Sequence, residues 1–222
     1  MKTDTRRFVL LAVADGLGGH PAGDVASRLA IRALHDSVRN SFPVFGENFP
    51  PDRRLILKNG FNSAANEVFR SQDNDPALHG MGTTLTAALI DEGGAGVIVH
   101  AGDSRAYIIG DSIRQITRDH SVVQEMADKG MILQSQVSRH PMHNKLTRAL
   151  GSPPVNPDIY QFSIGAGTLL LCTDGLIEGL TDEEIAERSR ETSFSGSCQA
   201  LVHAAKKRSR DNITVVMAKV KV

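Results

Sequence analysis

An α+β domain, with antiparallel strands and separate amphipathic helices, is predicted by three observations on this 222-residue sequence. Continuous apolar runs end abruptly at Asp-Gly or begin just after Asp-Asn, as buried strands closed by turns do. Short β-rich segments between Thr83 and Thr117 follow one another with only glycine-containing turns between them, which reads as an antiparallel meander. Helical periodicity is confined to stretches before and after that block.

Taken in order, Phe8 to Ala14 (FVLLAVA) is the first buried strand, closed by Asp15-Gly16. Asp24 to Asn40 carries Val25, Ala26, Leu29, Ala30, Ala33, Leu34 and Val38 on one wide face and Arg28, Arg32, His35, Asp36 and Arg39 on the other, an amphipathic helix. A Pro-rich connector from Pro43 to Pro51 leads to a second helix marked by Leu57, Phe61, Ala65, Val68 and Phe69. The meander follows: Thr83 to Ile90, Gly96 to His100, Arg105 to Ile109 and Ser112 to Thr117. Ser121 to Ser138 has a helical pattern broken at Gly130, and Pro141 to Pro157 is a Pro/Asn/Gly-punctuated, mobile insert. Thr168 to Cys172 is a strand, Thr181 to Arg190 and Ser197 to Arg208 are helices, and Asn212 to Val220 closes the chain as a β-branched strand. No repeat or low-complexity tract interrupts this order, so residues 1–222 read as a single domain.

Composition narrows the function. Lys plus Arg and Asp plus Glu each number 25, so no net field attracts nucleic acid or an anionic membrane. No apolar run reaches the roughly 20 residues that span a bilayer, and Met1 to Arg7 lacks the apolar core of a signal peptide. Cys172 and Cys198 form neither a disulfide framework nor a thiolate metal site. A cytoplasmic protein is expected, with selectivity residing in a local site.

The aspartates supply that site. Asp15 and Asp174 end apolar runs, Asp211 begins another, and Asp103 lies beside Gly102 between two more. If the first two strands run one way and the last runs antiparallel, these carboxylates meet at one edge. Gathered like charges raise one another's pKa, and a cation relieves the repulsion. An oxygen-only set with no Cys or His points to Mg or Mn. Gly16 adds a carbonyl with no side chain to obstruct an ion. Any one Asp-Gly or Asp-Asn is commonly just a turn; four in this arrangement favour a site. A dinucleotide-binding turn at Gly16, Gly18, Gly19 and Gly23 fails, because G-x-G-x-x-G needs glycine where Pro21 stands and no parallel βαβ unit follows.

Seven ordered motifs then become recognisable: Asp15-Gly16-Leu17-Gly18-Gly19-His20, Gly82-Thr83-Thr84, Gly102-Asp103-Ser104-Arg105-Ala106-Tyr107, Asp119-His120-Ser121, Asn144 to Gly151, Cys172-Thr173-Asp174-Gly175-Leu176 and Asp211-Asn212-Ile213-Thr214. From Phe8 to its C-terminus the chain resembles the PP2C-like (PPM) metal-dependent protein serine/threonine phosphatases of bacterial type. The resemblance implies a four-layer α-β-β-α sandwich of two antiparallel sheets flanked by helices. It also implies two Mg or Mn ions, with Asp15 bridging both, the Gly16 carbonyl on the second, and Asp174 and Asp211 completing the first. Asp103, with Asp174, corresponds to the ligands of a weaker third ion, and Ser121 to Asn144 to a flap beside the site. Family members open with an extra strand carrying a phosphate-contacting arginine and an Asn-Glu/Gln-Asp element. Here only seven residues precede Phe8, with Asp4, Arg6 and Arg7 as the charges nearest in kind. The resemblance therefore implies weak second-metal retention, low turnover and a raised KM. Leu17 stands where eukaryotic relatives place a histidine proposed as general acid; bacterial relatives commonly have an apolar residue there.

The expected reaction is hydrolysis of phosphoserine and phosphothreonine in phosphorylated proteins, by a hydroxide bridging the two ions, with Asp15, Asp174 and Asp211 as the catalytic set. His20 and His120 are expected to fix their loops, and His140 and His143 to be loop residues. Arg105 and Arg148 are expected in structural ion pairs, and Lys206, Lys207, Arg208 and Arg210 as a solvated run. The alternative is a catalytically weakened module that binds a phosphoprotein or regulates a partner.

Overall fold

The computed structural model describes residues 8–17, 20–42, 52–152, 154–191 and 193–220. In chain order the elements are β1 (Phe8–Val13), β2 (Gly16–Leu17), α1 (His20–Ser41), α2 (Arg53–Asn74), β3 (Gly82–Thr83), β4 (Leu85–Asp91), β5 (Ala95–Ala101), β6 (Arg105–Ile109) and β7 (Ile113–Gln115). There follow α3 (Val122–Asp128), β8 (Asp158–Ser163), β9 (Thr168–Cys172), α4 (Asp174–Gly179), α5 (Asp182–Glu191), α6 (Phe194–Ala205) and β10 (Val215–Lys219). One antiparallel sheet has the order β1-β4-β5-β8, a second β10-β9-β6-β7, and β2 pairs with β3 in a short ribbon.

The apolar runs are continuous because both faces of their strands are covered, and strand geometry sends alternate residues to opposite faces. Leu11, Val13, Ala88, Ile98, Ala106, Leu169 and Leu171 form one cluster between the sheets. Their strand neighbours Leu85, Ala87, Leu89, Val97 and Val99 face α1 and α2 instead, packing against Ala30, Leu34, Leu57 and Phe61. On the far side Tyr107, Ile109, Leu170 and Cys172 pack against Leu176, Ile185 and Leu201 from α4, α5 and α6. Three clusters between four layers give the expected sandwich, and each buried Leu or Phe contributes about 1.5–3 kcal/mol by leaving water.

Local differences from expectation have physical reasons. The strand expected over Thr83 to Ile90 is two pieces, β3 and β4, because Thr84 turns its backbone N–H and hydroxyl toward Asp15. The helix expected over Ser121 to Ser138 stops after two turns: Ser121 caps α3 by accepting from the Gln124 N–H, and Gly130 takes φ +69°. A 3₁₀ segment, Gln134–Arg139, follows. The helix expected over Ser197 to Arg208 lies three residues earlier, over Phe194–Ala205. The Pro141 to Pro157 stretch is tied back by antiparallel bridges, Ser121 to Leu146 and Thr83 to Leu150. Asp4, Arg6 and Arg7 lie outside the described residues. No helix among the described residues is long and apolar enough to cross a membrane.

Candidate metal centre

Sheet topology brings the four aspartates to one end of the sandwich. Because β10 runs antiparallel to β9, Val215 pairs with Cys172, and the start of one strand lies beside the end of the other. The Thr173 N–H donates to the Thr214 carbonyl at 3.1 Å and the Thr214 N–H donates to Thr173 Oγ1 at 3.0 Å, carrying the ladder on toward Asp174 and Asp211. Arg105 also pairs with Cys172, so the β5–β6 turn holding Asp103 comes to the same end. From the other sheet, Asp15 follows β1 directly. A cavity of about 720 Å³ is lined by Asp15, Gly16, Asp103, Asp174 and Asp211, with Asn144 from the segment after α3. All five residues expected as ligands therefore share one cavity.

Its electrostatics are those of crowded carboxylates. Burial, above all, raises the pKa of Asp174, and its hydrogen bond to Asp15 and the charges of Asp15, Asp211 and Glu178 raise it further. Asp15 is raised mainly by burial, with the Asp174 hydrogen bond acting the other way. Both carboxyls of the pair are thus held above the ordinary carboxylate range. Asp103 is pushed up to about 7 by burial and by the charges of Asp174 and Asp119. Among the described residues, Asp174 Oδ1 is buried with no hydrogen-bond partner. An ideal Cβ built on Gly16 would meet the Gly23 carbonyl oxygen at 2.2 Å, so no other residue fits between the turn and α1. Raised carboxyl pKa values, an orphaned carboxylate oxygen and an all-oxygen donor set fit a hard divalent cation.

Glu178, absent from the sequence expectations, belongs to this cluster. One carboxylate oxygen each from Asp174, Glu178 and Asp211 lie within 4.8 Å of one another. Ser209 connects two of them, donating from Oγ to Glu178 Oε2 at 3.1 Å and accepting from the Asp211 N–H at 3.1 Å. The available signal was spacing: Asp174 and Glu178 are four residues apart and share a face once α4 forms.

Around the cavity the expected structural roles hold. Arg105 donates to both oxygens of Asp119, from Nε at 2.9 and 3.1 Å and from Nη2 at 2.7 Å. Its Nη1 donates to the Tyr107 hydroxyl, which donates on to Asp182 Oδ1 at 3.0 Å. Arg148 pairs with Asp158 at 2.5 Å. His120 Nδ1 accepts from the Gly102 N–H at 3.1 Å, which leaves Nε2 to donate to Asp158 Oδ2 at 3.2 Å. Among the described residues, His140 and His143 bond within their own loop. The side chain of His20 lies outside the described residues. Lys206, Lys207, Arg208 and Arg210 are exposed as expected of a solvated run, and within it Arg208 Nη1 donates to both oxygens of Glu184 at 2.8 and 2.9 Å.

Residues 2–214 match the family model described as Protein phosphatase 2C. The chain is 38% identical over 215 residues to the serine/threonine protein phosphatase PstP of Mycobacterium tuberculosis, an alignment covering 95% of this chain and 40% of that protein. This chain thus spans about two fifths of that relative's length. It is 35% identical over 214 residues to the serine/threonine phosphatase stp of Listeria innocua, covering 94% of this chain and 83% of that one. The crystal structure of the M. tuberculosis phosphatase PstP/Ppp superposes with a TM-score of 0.87 at 34% identity, covering 98% of this chain and 92% of that chain. The PstP catalytic domain in complex with two manganese ions gives 0.81 at 34% identity, covering 96% and 90%.

Proposed function

Because this chain belongs to the protein phosphatase 2C family, we propose that it is a metal-dependent phosphatase acting on phosphoserine and phosphothreonine in proteins. The observation that carries this reading is the convergence of Asp15, Asp103, Asp174 and Asp211 on one cavity, with an Asp174 oxygen that has no partner among the described residues. Residues 1–222 are read as one catalytic domain with residues 121–144 as its flap. Cytoplasmic phosphoproteins made by a serine/threonine kinase are read as its substrates.

Asp15, the Gly16 carbonyl, Asp174 and Asp211 would hold two Mg or Mn ions, with Glu178 beside Asp174 and Asp211, and Asp103 with Asp174 would hold a weaker third. Divalent ions supply Lewis-acid neutralisation of phosphate charge and activation of water for in-line attack. The chain's own part is to keep its carboxylates aimed into one cavity. The Arg105–Asp119 pair props the strand that follows Asp103, and His120 tethers the Gly102 N–H on the other side of that turn. The test is hydrolysis of an aryl phosphate and of phosphoserine and phosphothreonine peptides with Mn or Mg supplied. Turnover should follow added metal, and full activity after exhaustive chelation would overturn the reading.

A second measurement uses the raised pKa values. In the metal-free protein the pKa values of Asp15, Asp174 and Asp103 lie above the ordinary value of 3.8, so the folded state keeps protons that the unfolded chain releases. Their contribution to stability is thus fully present below that value and is lost as pH rises through about 7 for Asp103. A cation takes the place of those protons and stabilises the folded state by mass action. The rise in Tm caused by Mn should therefore grow between about pH 5 and about pH 8. Asp174→Asn should shrink it, and a shift independent of both pH and Asp174 would remove these groups from the ligand set.

A further inference from the structure

Asp15 is held by more than its place after β1. The Thr84 N–H donates to the Asp15 carbonyl at 2.8 Å, the Asp15 N–H donates to Thr84 Oγ1 at 2.9 Å, and Thr83 Oγ1 also donates to the Asp15 carbonyl at 2.9 Å. Thr84 Oγ1 lies 2.7 Å from Ser104 Oγ, and Ser104 directly follows Asp103. Both residues are buried, Thr84 at 1% exposure and Ser104 at 0%.

A single hydroxyl therefore joins the backbone of one carboxylate turn to the side chain next to the other. The turns come from different parts of the sandwich: Asp15 extends the β1-β4-β5-β8 sheet, and Asp103 lies on the crossover from β5 to β6 in the second sheet. Thr84 also packs directly on that crossover. Gly102 has φ +118°, and an ideal Cβ there would lie 2.5 Å from Thr84 Cβ and Cγ2. The glycine is needed for its conformation and for this close approach.

We propose that Thr84 and Ser104 are positioning residues that set the separation of Asp15 and Asp103, and with it the cation affinity of the centre. This inference rests on the metal-dependent reading above. Neither hydroxyl is assigned to a cation or to substrate. Their action is indirect: with Thr84 Oγ1 gone, the half-buried Asp15 N–H loses its acceptor, and the two turns relax apart under the repulsion of their own carboxylates.

The test is calorimetric titration of the metal-free full chain with Mn, with Tm and steady-state kinetics in parallel. Thr84→Val keeps the volume and removes the hydroxyl, Thr84→Ser keeps the hydroxyl, and Ser104→Ala removes the other end of the link. Thr84→Val should weaken Mn binding by roughly 10- to 100-fold, as loss of a partner to a ligating group does. It should raise the Mn concentration for half-maximal rate more than it lowers kcat at saturating Mn, and Thr84→Ser should restore most of the loss. The Thr84→Val/Ser104→Ala double variant should bind no more weakly than Thr84→Val, since the two changes break one link. Wild-type Mn affinity in folded Thr84→Val would overturn the proposal, as would a loss that Thr84→Ser fails to restore. If Thr84→Val does not fold, Ser104→Ala decides: weakened Mn binding supports the link and unchanged binding overturns it. A wild-type chain that binds no Mn would instead overturn the metal-dependent reading and this inference with it, an outcome separate from wild-type binding that the variants leave unaltered.

Discussion

Asp15→Asn should lower kcat with Mn present on the order of a thousandfold or more, because a divalent cation supplies several kcal/mol of transition-state charge stabilisation and each 1.36 kcal/mol is tenfold in rate. Asparagine keeps the size of the side chain and one carbonyl oxygen but removes the charge that two cations would share. The backbone clamps from Thr83 and Thr84 act on Asp15 main-chain atoms and are left in place. The metal-free protein should meanwhile hold or gain stability, since the substitution removes one of the mutually repelling carboxylates. Activity lost together with Tm would mean that Asp15 serves the fold. Activity retained within a few fold, on the scale of tenfold per 1.36 kcal/mol, would remove Asp15 from the catalytic set.

Asp119→Ala should be the most destabilising of the single changes considered. It removes the partner of three hydrogen bonds from Arg105, a guanidinium whose side chain is 18% exposed beside an Asp119 carboxylate at 7%. Stripping one partner from a buried pair costs about 3–5 kcal/mol, because the remaining charge stays buried. In a domain of this size that lowers Tm on the order of 10 °C. Asp128→Ala is the control. Arg118 and Asp128 also form an ion pair, but with side chains 51% and 41% exposed, and a pair in water contributes about 0–1 kcal/mol. Equal Tm changes for the two variants would show that Arg105 finds another partner or reaches solvent.

The legible parts of the fold were those where burial covers both faces. Runs such as Leu169 to Cys172 and Leu10 to Val13 read as strands because a helix layer covers one side and the other sheet covers the opposite side. β8 (Asp158–Ser163) left no such signal. It is an edge strand of half-buried and exposed residues, with polar Gln161 between Tyr160 and Phe162, and its pairing with β5 is set by tertiary contact. α4 was hidden for a different reason: six residues are too few for a period to show. The aspartates were legible because Asp-Gly and Asp-Asn at strand ends mark positions in chain order, and antiparallel pairing turns such positions into neighbours. Glu178 was not, since its place in the cluster depends on α4. The pairing of Arg208 with Glu184 likewise requires α5 and the end of α6 to meet, which no local pattern encodes.

The two sheets contribute separately to the carboxylate cavity, Asp15 from one and Asp174 and Asp211 from the other. On the proposed ligand set, a cation there is a rivet between two layers whose other ties include side-chain packing and the Thr84–Ser104 hydrogen bond. Its ligands, drawn from positions 15 and 211, converge only after both sheets have docked, late on any folding route dominated by such distant contacts. Stabilisation that is absent from the transition state falls on the unfolding rate and leaves the folding rate little changed. The cation would thus act chiefly as a lock on an already assembled molecule, lengthening the lifetime of the folded state while doing little to speed its formation.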